Sequence, residues 1–401
     1  MELRKYKLGE IAEIIPGYAF KSSDFGHGKN IAIKIKDIVP PGIDIKNADT
    51  VDVHPGERYQ LQSGDYVMAM TGATIGKIGK IGNCEKRIFI NQRVCKFIAN
   101  NLCDKEYLYY VLNSDYFQKF VLNNIDSKLA QPNIGHPTLY KFENLYPTLL
   151  EQKRIASVLS NIDSKIELNR AINQNLEAMA KQLYDYWFVQ FDFPNEEGKP
   201  YKSSGGEMVW NEKLRRDIPI GWSCSDIKSA LNIFTGKKDV SKAIPGPYKF
   251  FSCAPEPISS NEYMYDGEVV LVSGNGSYTG RVGYFNGKFD LYQRTYACVL
   301  KSESDTWMPF YYYTLRYMFQ PVFSGGKHGS SMPYIVLGDL ADFKFAKELT
   351  IINRFVSIVA PMFNEQFKRL VETEQLIKQR NELLPLLMNG QVSVNSDLSD
   401  D

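Results

Sequence analysis

The sequence is poor in the residues that most often build metal centres and disulfide scaffolds. It contains only six cysteines and four histidines among 401 residues, and no C-x-x-C pair occurs. The cysteines lie far apart in the chain, which argues against both a zinc site and a disulfide framework. We therefore expect all six cysteines to be reduced packing residues.

Long apolar runs and a strong charge imbalance are also absent. No segment approaches the ~18 consecutive apolar residues of a membrane helix, and the opening MELRKYKLGEIAEIIPGYAF lacks the apolar core of a signal peptide. These absences predict a cytoplasmic protein. The formal net charge is only +1, so any binding of nucleic acid must come from local basic patches or from a partner.

The glycine-rich stretch TGATIGKIGKIG, residues 71–82, invites comparison with a phosphate-binding loop. Such a loop needs four residues between its two glycines, and a Ser or Thr after the lysine. Here three residues separate Gly72 from Gly76, and Ile78 occupies the hydroxyl position. The pattern favours a hairpin bent by glycines over a nucleotide site.

The chain repeats itself at an offset of about 200 residues, a signal that decides the architecture. GDYVMAMTGATIGKIGKIG (64–82) matches GEVVLVSGNGSYTGRVGYF (267–285), and RIASVL (154–159) aligns with RFVSIV (354–359). The doublet Gln92-Arg93 recurs as Gln293-Arg294, and Pro132 recurs as Pro333. A glycine motif used twice, without its hydroxyl in either copy, favours a structural hairpin with a variable tip.

Each copy is predicted to be a mixed α/β unit followed by one long helix, which makes the chain an α+β protein built as a tandem repeat. Strand-like runs such as YVMAM and VVLVS suggest a curved sheet, and the tyrosine-rich stretches 106–120 and 309–323 suggest short helices packed on it. The predicted boundaries are 1–149 for the first α/β domain, 150–192 for the first helix, 193–214 for a linker, 215–346 for the second domain, 347–394 for the second helix and 395–401 for a disordered tail.

Both long helices carry a heptad pattern of apolar residues, which predicts that they pack against each other as an antiparallel coiled coil. The seam residues are Ile155, Leu159, Ile162, Ile166, Leu176 and Leu183 in the first helix and Phe355, Val359, Met362, Leu376, Leu383 and Leu387 in the second. Four polar residues interrupt the seam: Asn169, Asn173, Gln366 and Thr373. They either fix the register or are merely tolerated, and pairing between two copies of the chain is an alternative to intramolecular packing.

The residues resemble a known family at several places. Pro147 followed by LLEQKRIASVLSNID (149–163), the GATIGKIGKIG hairpin, INQR and LAQPNI are similar to the specificity subunit of type I restriction-modification enzymes, and the resemblance covers essentially the whole chain. It implies two target recognition domains, each reading one half of an asymmetric bipartite sequence in double-stranded DNA, and two spacer helices. The second copy lacks the Glu-Gln-Lys sequence of 151–153, which leaves its docking contacts uncertain.

The same resemblance implies partners and assigns catalysis to them. Two adenine-N6 methyltransferase (modification) subunits and, for cleavage, motor-nuclease (restriction) subunits are expected, and these would bind S-adenosylmethionine and ATP with magnesium. This chain lacks the Asn/Asp-Pro-Pro-Tyr/Phe motif of adenine methyltransferases, since VPPG at 39–42 has neither end of it. It is therefore predicted to be non-catalytic, and a coiled-coil scaffold that bridges proteins without reading DNA is the alternative function.

Candidate DNA contacts are long polar side chains in or beside predicted turns, because Arg, Lys, Asn and Gln read base edges while hydroxyls and cations contact phosphates. In the first copy they are Lys21, Ser22, Thr74, Lys77, Gln92, Arg93, Lys128, Gln131 and Asn133. In the second copy they are Lys237, Lys238, Asn275, Ser277, Tyr278, Arg281, Gln293, Arg294, Lys327, His328 and Ser331.

Two of these predictions carry explicit alternatives. The repeated Gln-Arg doublet is the strongest candidate, but a buried Gln that ties loops together would equally explain its recurrence. His328 lies among Gly325, Gly326 and Gly329 and has the chemistry of a general base. Because the sequence around it shows no paired carboxylate or nucleophile, loop packing or a phosphate contact is the favoured interpretation.

Overall fold

The computed structural model describes residues 2–126, 132–302, 306–329 and 331–394. The chain divides into two compact units, unit 1 comprising Met1–Leu168 with Glu372–Asp401 and unit 2 comprising Asn169–Val371. The division falls inside both long helices, so each helix contributes residues to both units. The predicted tail 395–401 lies outside the described residues.

Unit 1 is built mainly of short strands. Its strands are β1 (Arg4–Lys7), β2 (Ala12–Pro16), β3 (Phe25–Ile33), β4 (Ile38–Val39), β5 (Gly42–Ile43), β6 (Asp49–Val51), β7 (Gln60–Leu61), β8 (Tyr66–Ala69), β9 (Ile78–Lys80), β10 (Ile88–Ile90), β11 (Val94–Ala99) and β12 (Glu143–Tyr146). Its helices are α1 (Leu8–Ile11), α2 (Lys105–Asn113), α3 (Asp115–Asn123), α4 (His136–Leu139) and the first part of α5 (Leu149–Tyr184).

Unit 2 repeats this plan with longer strands. They are β13 (Met208–Asn211), β14 (Arg216–Pro219), β15 (Ser223–Asp226), β16 (Leu231–Thr235), β17 (Tyr248–Phe251), β18 (Ile258–Ser260), β19 (Tyr265–Ser273), β20 (Val282–Leu291), β21 (Thr295–Leu300) and β22 (Lys344–Lys347). The helices are α6 (Ile227–Ala230), α7 (Met308–Thr314), α8 (Gln320–Phe323), α9 (Leu337–Ala341), the last part of α5 and the first part of α10 (Leu349–Met388), whose last part belongs to unit 1. π-Helical turns cover Asp185–Val189 and Leu315–Phe319.

The sheets confirm the internal repeat. An antiparallel sheet of order β2-β11-β8-β9 in unit 1 corresponds to the β16-β21-β19-β20 part of a six-stranded sheet in unit 2. In both units one strand then pairs in parallel with its neighbour, β10 with β3 and β20 with β17. The pair β1-β12 likewise corresponds to β15-β22. The α+β tandem-repeat fold predicted from the sequence is therefore present.

Aromatic helices pack on each sheet, as the tyrosine-rich stretches predict. Tyr107 and Phe117 from α2 and α3 are fully buried in the core of unit 1, and Tyr313 from α7 is fully buried in unit 2. Burial raises the pKa of Tyr313, whose hydroxyl has no hydrogen-bond partner among the described residues. These side chains supply much of the apolar surface that holds helix and sheet together.

The segment 193–214, whose composition is typical of a linker, is folded in the structure. The Asp192 carboxylate accepts hydrogen bonds from the backbone N–H (2.7 Å) and hydroxyl (2.6 Å) of Ser203. The ring of Phe193 stacks on Trp222 with centroids 5.2 Å apart, and strands β13 and β14 form a hairpin. Local hydrogen bonds and aromatic packing therefore order a stretch that periodicity alone could not assign.

The seam residues of the long helices are buried or half-buried without exception. In unit 1, Ile155 clusters with Leu387, and the Asp163 carboxylate accepts a hydrogen bond from Arg380 at 2.8 Å. From Ile155 to Asp163 the residue number rises along α5, while the number of the contacting residue in α10 falls from 387 to 380. The two helical segments therefore run antiparallel. The apolar stripes are paired within the chain, which removes the need for pairing between two copies.

The same orientation holds in unit 2. The side-chain oxygen of Asn169 accepts a hydrogen bond from the Arg369 guanidinium at 2.8 Å, and the rings of Tyr184 and Phe355 lie 5.9 Å apart. All four polar seam residues are buried, with exposed fractions between 1% for Asn169 and 8% for Asn173 and Thr373. Asn169 is thus a specific polar partner within the seam, as expected of a residue that fixes register.

The Glu-Gln-Lys sequence at the start of α5 has an internal role for its central residue. Gln152 is only 1% exposed, accepts a hydrogen bond from the N–H of Asp104 (2.8 Å) and donates to the carbonyl of Pro147 (2.9 Å). In the second copy, the buried apolar Ile352 occupies the corresponding position. Gln152 therefore stabilises unit 1 and is not available for docking a partner.

Among the described residues, no helix is long and apolar enough to cross a membrane.

A glycine substitution tests the repeated hairpin frame. Gly280 has φ +82°, and a Cβ there would lie 2.6 Å from the carbonyl oxygen of Phe323, so Gly280→Ala should lower the free energy of unfolding by about 1–3 kcal/mol. Gly283→Ala is the matched control, because no atom lies within 4 Å of its Cβ position. All four tryptophans lie in unit 2, so urea unfolding followed by tryptophan fluorescence measures this unit, and equal midpoints for the two variants would contradict the prediction.

Candidate nucleic-acid interface

Unit 1 brings together chain segments that are far apart in the sequence, and we call this group loop cluster 1. Its segments are residues 17–22, 33–37, 69–77, 90–94 and 132–134. The backbone hydrogen bonds that join them run from the N–H of Tyr18 to the carbonyl of Ile90 (2.8 Å), from Asn91 to Ile33 (3.0 Å), from Met70 to Arg93 (2.9 Å) and from Gly72 to Pro132 (3.0 Å).

Unit 2 contains the equivalent loop cluster 2, formed by residues 236–239, 251–255, 273–281, 292–295, 325–329 and 331–335. Here the backbone hydrogen bonds run from the N–H of Gln293 to the carbonyl of Lys238 (3.0 Å), from Tyr292 to Phe251 (3.0 Å), from Gly274 to Arg294 (2.9 Å) and from Gly276 to Pro333 (2.9 Å). Most of these bonds occupy the same places in the repeat as those of loop cluster 1. The two clusters are therefore two copies of one backbone frame.

The glycine motif forms the turn of a hairpin in both clusters. Gly72 and Gly76 have φ +75° and +82°, and Gly276 and Gly280 have φ +81° and +82°. Residue 77 donates its N–H to the carbonyl of Thr74 (3.0 Å), as Arg281 does to Tyr278 (3.0 Å). The predicted hairpin is present in both copies, and its tip carries different side chains in the two units.

A glutamine from the aromatic helices fixes each hairpin, and sequence reasoning missed both residues. The Gln118 amide donates to the carbonyl of Gly76 at 3.1 Å. In unit 2 the side-chain oxygen of Gln320 accepts the N–H of Val282 at 2.8 Å. A sequence signal for the glutamines was available, because each lies near the end of the tyrosine-rich stretch of its copy, but nothing in the sequence indicated the hydrogen-bond partner.

The candidate DNA-contact residues that the structure describes are either exposed or half-buried, and two further candidates lie outside the described residues. Those exposed to solvent are Lys21, Ser22, Lys77, Gln92, Arg93, Lys237, Ser277, Tyr278, Gln293, Arg294, Lys327 and Ser331. Those half-buried are Thr74, Asn133, Lys238, Asn275, Arg281 and His328. Lys128 and Gln131 lie outside the described residues. Gln92 and Gln293 are exposed, so the alternative of a buried glutamine that ties loops together does not describe them.

Two half-buried cations hold the frame of loop cluster 2. The Lys238 ammonium contacts the carboxylates of Glu262 (2.6 Å) and the buried Asp290 (3.1 Å), and these hydrogen bonds raise its pKa. The Arg281 guanidinium donates to the carbonyl of Ala254 at 2.6 Å, and burial lowers its pKa. Both side chains are engaged within the protein, so contacts to DNA from them stay predictions.

His328 has a carboxylate partner that is distant in sequence. Its Nε2 lies 3.0 Å from Oδ2 of Asp339, while the Lys327 ammonium lies 3.1 Å from Oδ1 of the same group. Burial acts to raise the pKa of Asp339, but the N–H of Val336 and these two side chains outweigh it and hold that pKa below its ordinary value. The arrangement anchors Lys327 and His328 to α9, and the contacts of His328 among the described residues include no nucleophile, which supports loop packing over general-base chemistry.

Both clusters are locally basic in a chain of nearly zero net charge. The Lys, Arg, Asp and Glu residues of loop cluster 1 are Lys21, Lys34, Lys36, Lys77, Arg93 and Asp37, and those of loop cluster 2 are Lys237, Lys238, Arg281, Arg294, Lys327 and Asp239. Within its own segments each cluster thus has five cations against one carboxylate, whereas the whole chain has a formal charge of +1. Carboxylates of neighbouring segments pair with four of these cations: Asp49 with Lys34 and Lys36, Glu262 and Asp290 with Lys238, and Asp339 with Lys327. Such local excess favours a polyanionic ligand.

Among the described residues, no group of three or more His, Cys, Asp or Glu could hold a metal ion.

Comparisons with known proteins point to one family. Residues 2–178 match the family model described as the type I restriction modification DNA specificity domain. The type I restriction enzyme MjaIX specificity subunit of Methanocaldococcus jannaschii is 25% identical over 344 residues, which cover 79% of this chain and 76% of that protein. The EcoDI specificity subunit of Escherichia coli is 31% identical over 185 residues, which cover 44% of this chain and 40% of that protein.

A solved structure shares the fold over nearly the whole chain. The crystal structure of a type I restriction-modification system S subunit from M. genitalium superposes with a TM-score of 0.66 and covers 96% of both chains. The sequence identity is 16%, so this likeness concerns the fold alone.

The Asp339 anchor predicts a defined pH dependence. Because its pKa is lower in the folded protein than in the unfolded chain, Asp339 stabilises unit 2 fully above about pH 4, and this contribution is lost as the pH falls through the folded-state pKa. Asp339→Asn should therefore cost about 1–3 kcal/mol of unfolding free energy at pH 7 and progressively less below pH 4. Asp342→Asn, at an exposed position, is the control, and a difference that grows on acidification would contradict the assignment.

Proposed function

We propose that the chain is a member of the type I restriction-modification specificity subunit family, which it resembles, and that it reads an asymmetric bipartite sequence in double-stranded DNA. Loop cluster 1 would bind one half of the target, and loop cluster 2 the other half. A role in DNA sequence specificity follows from the family itself. The division of the target between the clusters is the finer step that we propose.

One observation carries this proposal: the two clusters share a backbone frame but differ at the tip of the hairpin. Loop cluster 1 presents Ala73 and Thr74 between its glycines, whereas loop cluster 2 presents Ser277 and Tyr278. A common frame with different side chains at the tip, of which Ala73, Ser277 and Tyr278 are exposed and Thr74 is half-buried, suits two modules that bind the same polymer at different sequences. Basic surroundings in both clusters supply the electrostatic attraction that phosphates require.

The long helices would set the distance between the two half-sites. Helix α5 has 36 residues and α10 has 40 residues. At ~1.5 Å per residue, helices of this length span roughly 50–60 Å, which exceeds one ~34–36 Å turn of duplex DNA. A spacer of that length would leave base pairs between the half-sites that neither cluster contacts.

We infer that this chain, like the specificity subunits it resembles, supplies DNA specificity and leaves catalysis to other subunits of a restriction-modification complex. We propose that two adenine-N6 methyltransferase subunits and, for cleavage, motor-nuclease subunits assemble on it in the cytoplasm. S-adenosylmethionine, and ATP with magnesium, would be bound by those partners.

The direct test is DNA binding by the full chain together with its methyltransferase subunit. One bipartite duplex, identified by mapping N6-methyladenine in the host genome, should bind far more tightly than a random duplex of equal length. Scrambling either half-site alone should abolish most of this preference. Equal affinity for target and random DNA would instead favour a protein-bridging scaffold.

Exchange of one unit tests the independence of the two clusters. Replacing residues 215–346 with the matching region of a relative should change one half of the methylated sequence and leave the other half intact. The reason is that loop cluster 2 lies wholly within this range. Methylome sequencing of cells that carry the hybrid gives the readout, and a change in both halves would refute separate readout.

Shortening both helices tests the spacer. Removal of seven residues from each of α5 and α10 shortens them by about 10 Å, which corresponds to roughly three base pairs of DNA. The untouched gap in the methylated sequence should become shorter, or methylation should be lost. An unchanged gap in an active variant would rule out a spacer role. A control that removes seven residues from the 395–401 tail should leave the gap as it is.

A further inference from the structure

The Gln-Arg doublet is an exposed feature that is chemically identical in the two clusters. It occupies the two central positions of a β-turn, closed by a hydrogen bond from the N–H of Val94 to the carbonyl of Asn91 (2.8 Å) in unit 1. In unit 2 the N–H of Thr295 donates to the carbonyl of Tyr292 at 3.0 Å. Both turns connect the same two strands of the repeat, β10 to β11 and β20 to β21.

The backbone of each turn is held in place from two sides. The arginine carbonyl accepts the N–H of Met70 in unit 1 and of Gly274 in unit 2, both at 2.9 Å. On the other side a glycine makes close contact: a Cβ at Gly17 would lie 2.0 Å from the carbonyl oxygen of Asn91, and one at Gly236 would lie 1.6 Å from that of Leu291. The turns are thus fixed platforms that present two long polar side chains to solvent.

The side chains of the doublet are available for a ligand in unit 2. Arg294 is exposed, and its guanidinium has no hydrogen bond or ion pair with any described residue. Gln293 is also exposed, and its amide makes one long contact of 3.5 Å to Asp239. Arg281 and Lys238, by contrast, are held by groups of the protein itself. Arg294 is therefore, with the exposed Lys237, one of the cations of loop cluster 2 that are available to bind an external anion.

Sequence identity within a diverged repeat limits what the doublet can bind. The two half-sites of an asymmetric target differ in their bases, but the sugar-phosphate backbone is the same in both. Side chains that read bases should therefore differ between the clusters, as the tip residues Thr74 and Tyr278 do. Side chains that are the same should contact what the half-sites have in common.

We propose that the Gln-Arg turn binds the DNA backbone: the arginine donates to phosphate oxygens, the glutamine amide supports it, and the hairpin tip is the part that discriminates bases. Arg93 and Arg294 are positioning residues that place each tip against its half-site. This inference rests on the proposed function, since it assigns a chemical class of contact to one part of the same surface. It also explains why a doublet that is the same in both clusters lies beside a hairpin tip that differs between them.

A salt titration separates phosphate contacts from base contacts. The full chain with its methyltransferase subunits is measured by fluorescence anisotropy on three duplexes: the target, the target with the second half-site scrambled, and random DNA. Arg294→Ala is compared with Arg294→Lys, with Tyr278→Ala and with Lys213→Ala, an exposed lysine outside loop cluster 2. Tryptophan fluorescence confirms that unit 2 of each variant is folded, since all four tryptophans lie there.

For Arg294→Ala we expect a similar several-fold loss of affinity on all three duplexes, and a plot of log affinity against log salt that is shallower by about 0.9. Arg294→Lys should restore the salt slope, because lysine also pairs with phosphate. Tyr278→Ala should instead reduce the preference for the target over the scrambled half-site while leaving the slope unchanged. Lys213→Ala should change neither.

Three results would overturn the inference. A change in base preference at the second half-site in Arg294→Ala would show a base contact. Unaltered DNA binding accompanied by loss of the methyltransferase subunits would show that the repeated doublet binds a repeated protein partner. Unaltered DNA binding with the complex intact would show that the doublet contributes neither to DNA binding nor to binding of the methyltransferase subunits. Failure of the proposed function itself has a separate signature, because the unmodified complex would then bind all three duplexes equally.

Discussion

Close approach between backbone segments is the constraint on which the two loop clusters depend. The N–H groups of Gly72 and Gly276 reach the carbonyls of Pro132 and Pro333, and glycine is required there because the φ angles are positive. Gly17 and Gly236 leave no room for a Cβ beside the neighbouring turn. Since these bonds join main-chain atoms, the frame does not depend on which side chains are exposed at its surface. This property lets one architecture present Ala-Thr in one unit and Ser-Tyr in the other.

The long helices use a different principle, in which polar side chains are placed in an otherwise apolar seam. Asn169 accepts from Arg369, and Asp163 accepts from both Arg380 and the hydroxyl of Tyr110. An apolar seam alone would tolerate a shift by one heptad, whereas a buried amide or carboxylate has its partner at only one register. The polar positions therefore align the helices within each unit, and the apolar positions supply most of the buried area.

The sequence was sufficient to predict the repeat, the α+β class, the hairpin and the heptad seam, because each leaves a periodic or duplicated pattern. It was not sufficient for contacts between side chains that are distant in the chain. The Asp339 carboxylate beside His328, and the burial of Gln152, follow from tertiary packing that no local pattern encodes. The segment 193–214 was predicted to be a linker from its composition alone, which carries no information on its folded state, since its order comes from contacts of Phe193 with Trp222 and of Asp192 with Ser203.

For the candidate interface, the sequence indicated the correct loops but could not rank the residues within them. Lys238 and Arg294 look equally suitable as isolated cations. The structure separates them, because Asp290 and Glu262 pair with Lys238 whereas Arg294 is exposed without such a partner among the described residues. Which cations are available for a ligand depends on where carboxylates from other segments lie in the folded protein. The local sequence around each cation does not contain this information.

The core of unit 1 is completed by residues from the far end of the polypeptide. Leu387 and Met388 of α10 pack in the same cluster as Ile155 and Leu159, more than two hundred positions upstream. A premature stop codon near residue 371 would remove Leu387 and Met388. The apolar side chains of Ile155 and Leu159 in the amino-terminal module would then be left exposed to solvent. Folding of that module during translation cannot be finished until the ribosome has synthesised α10.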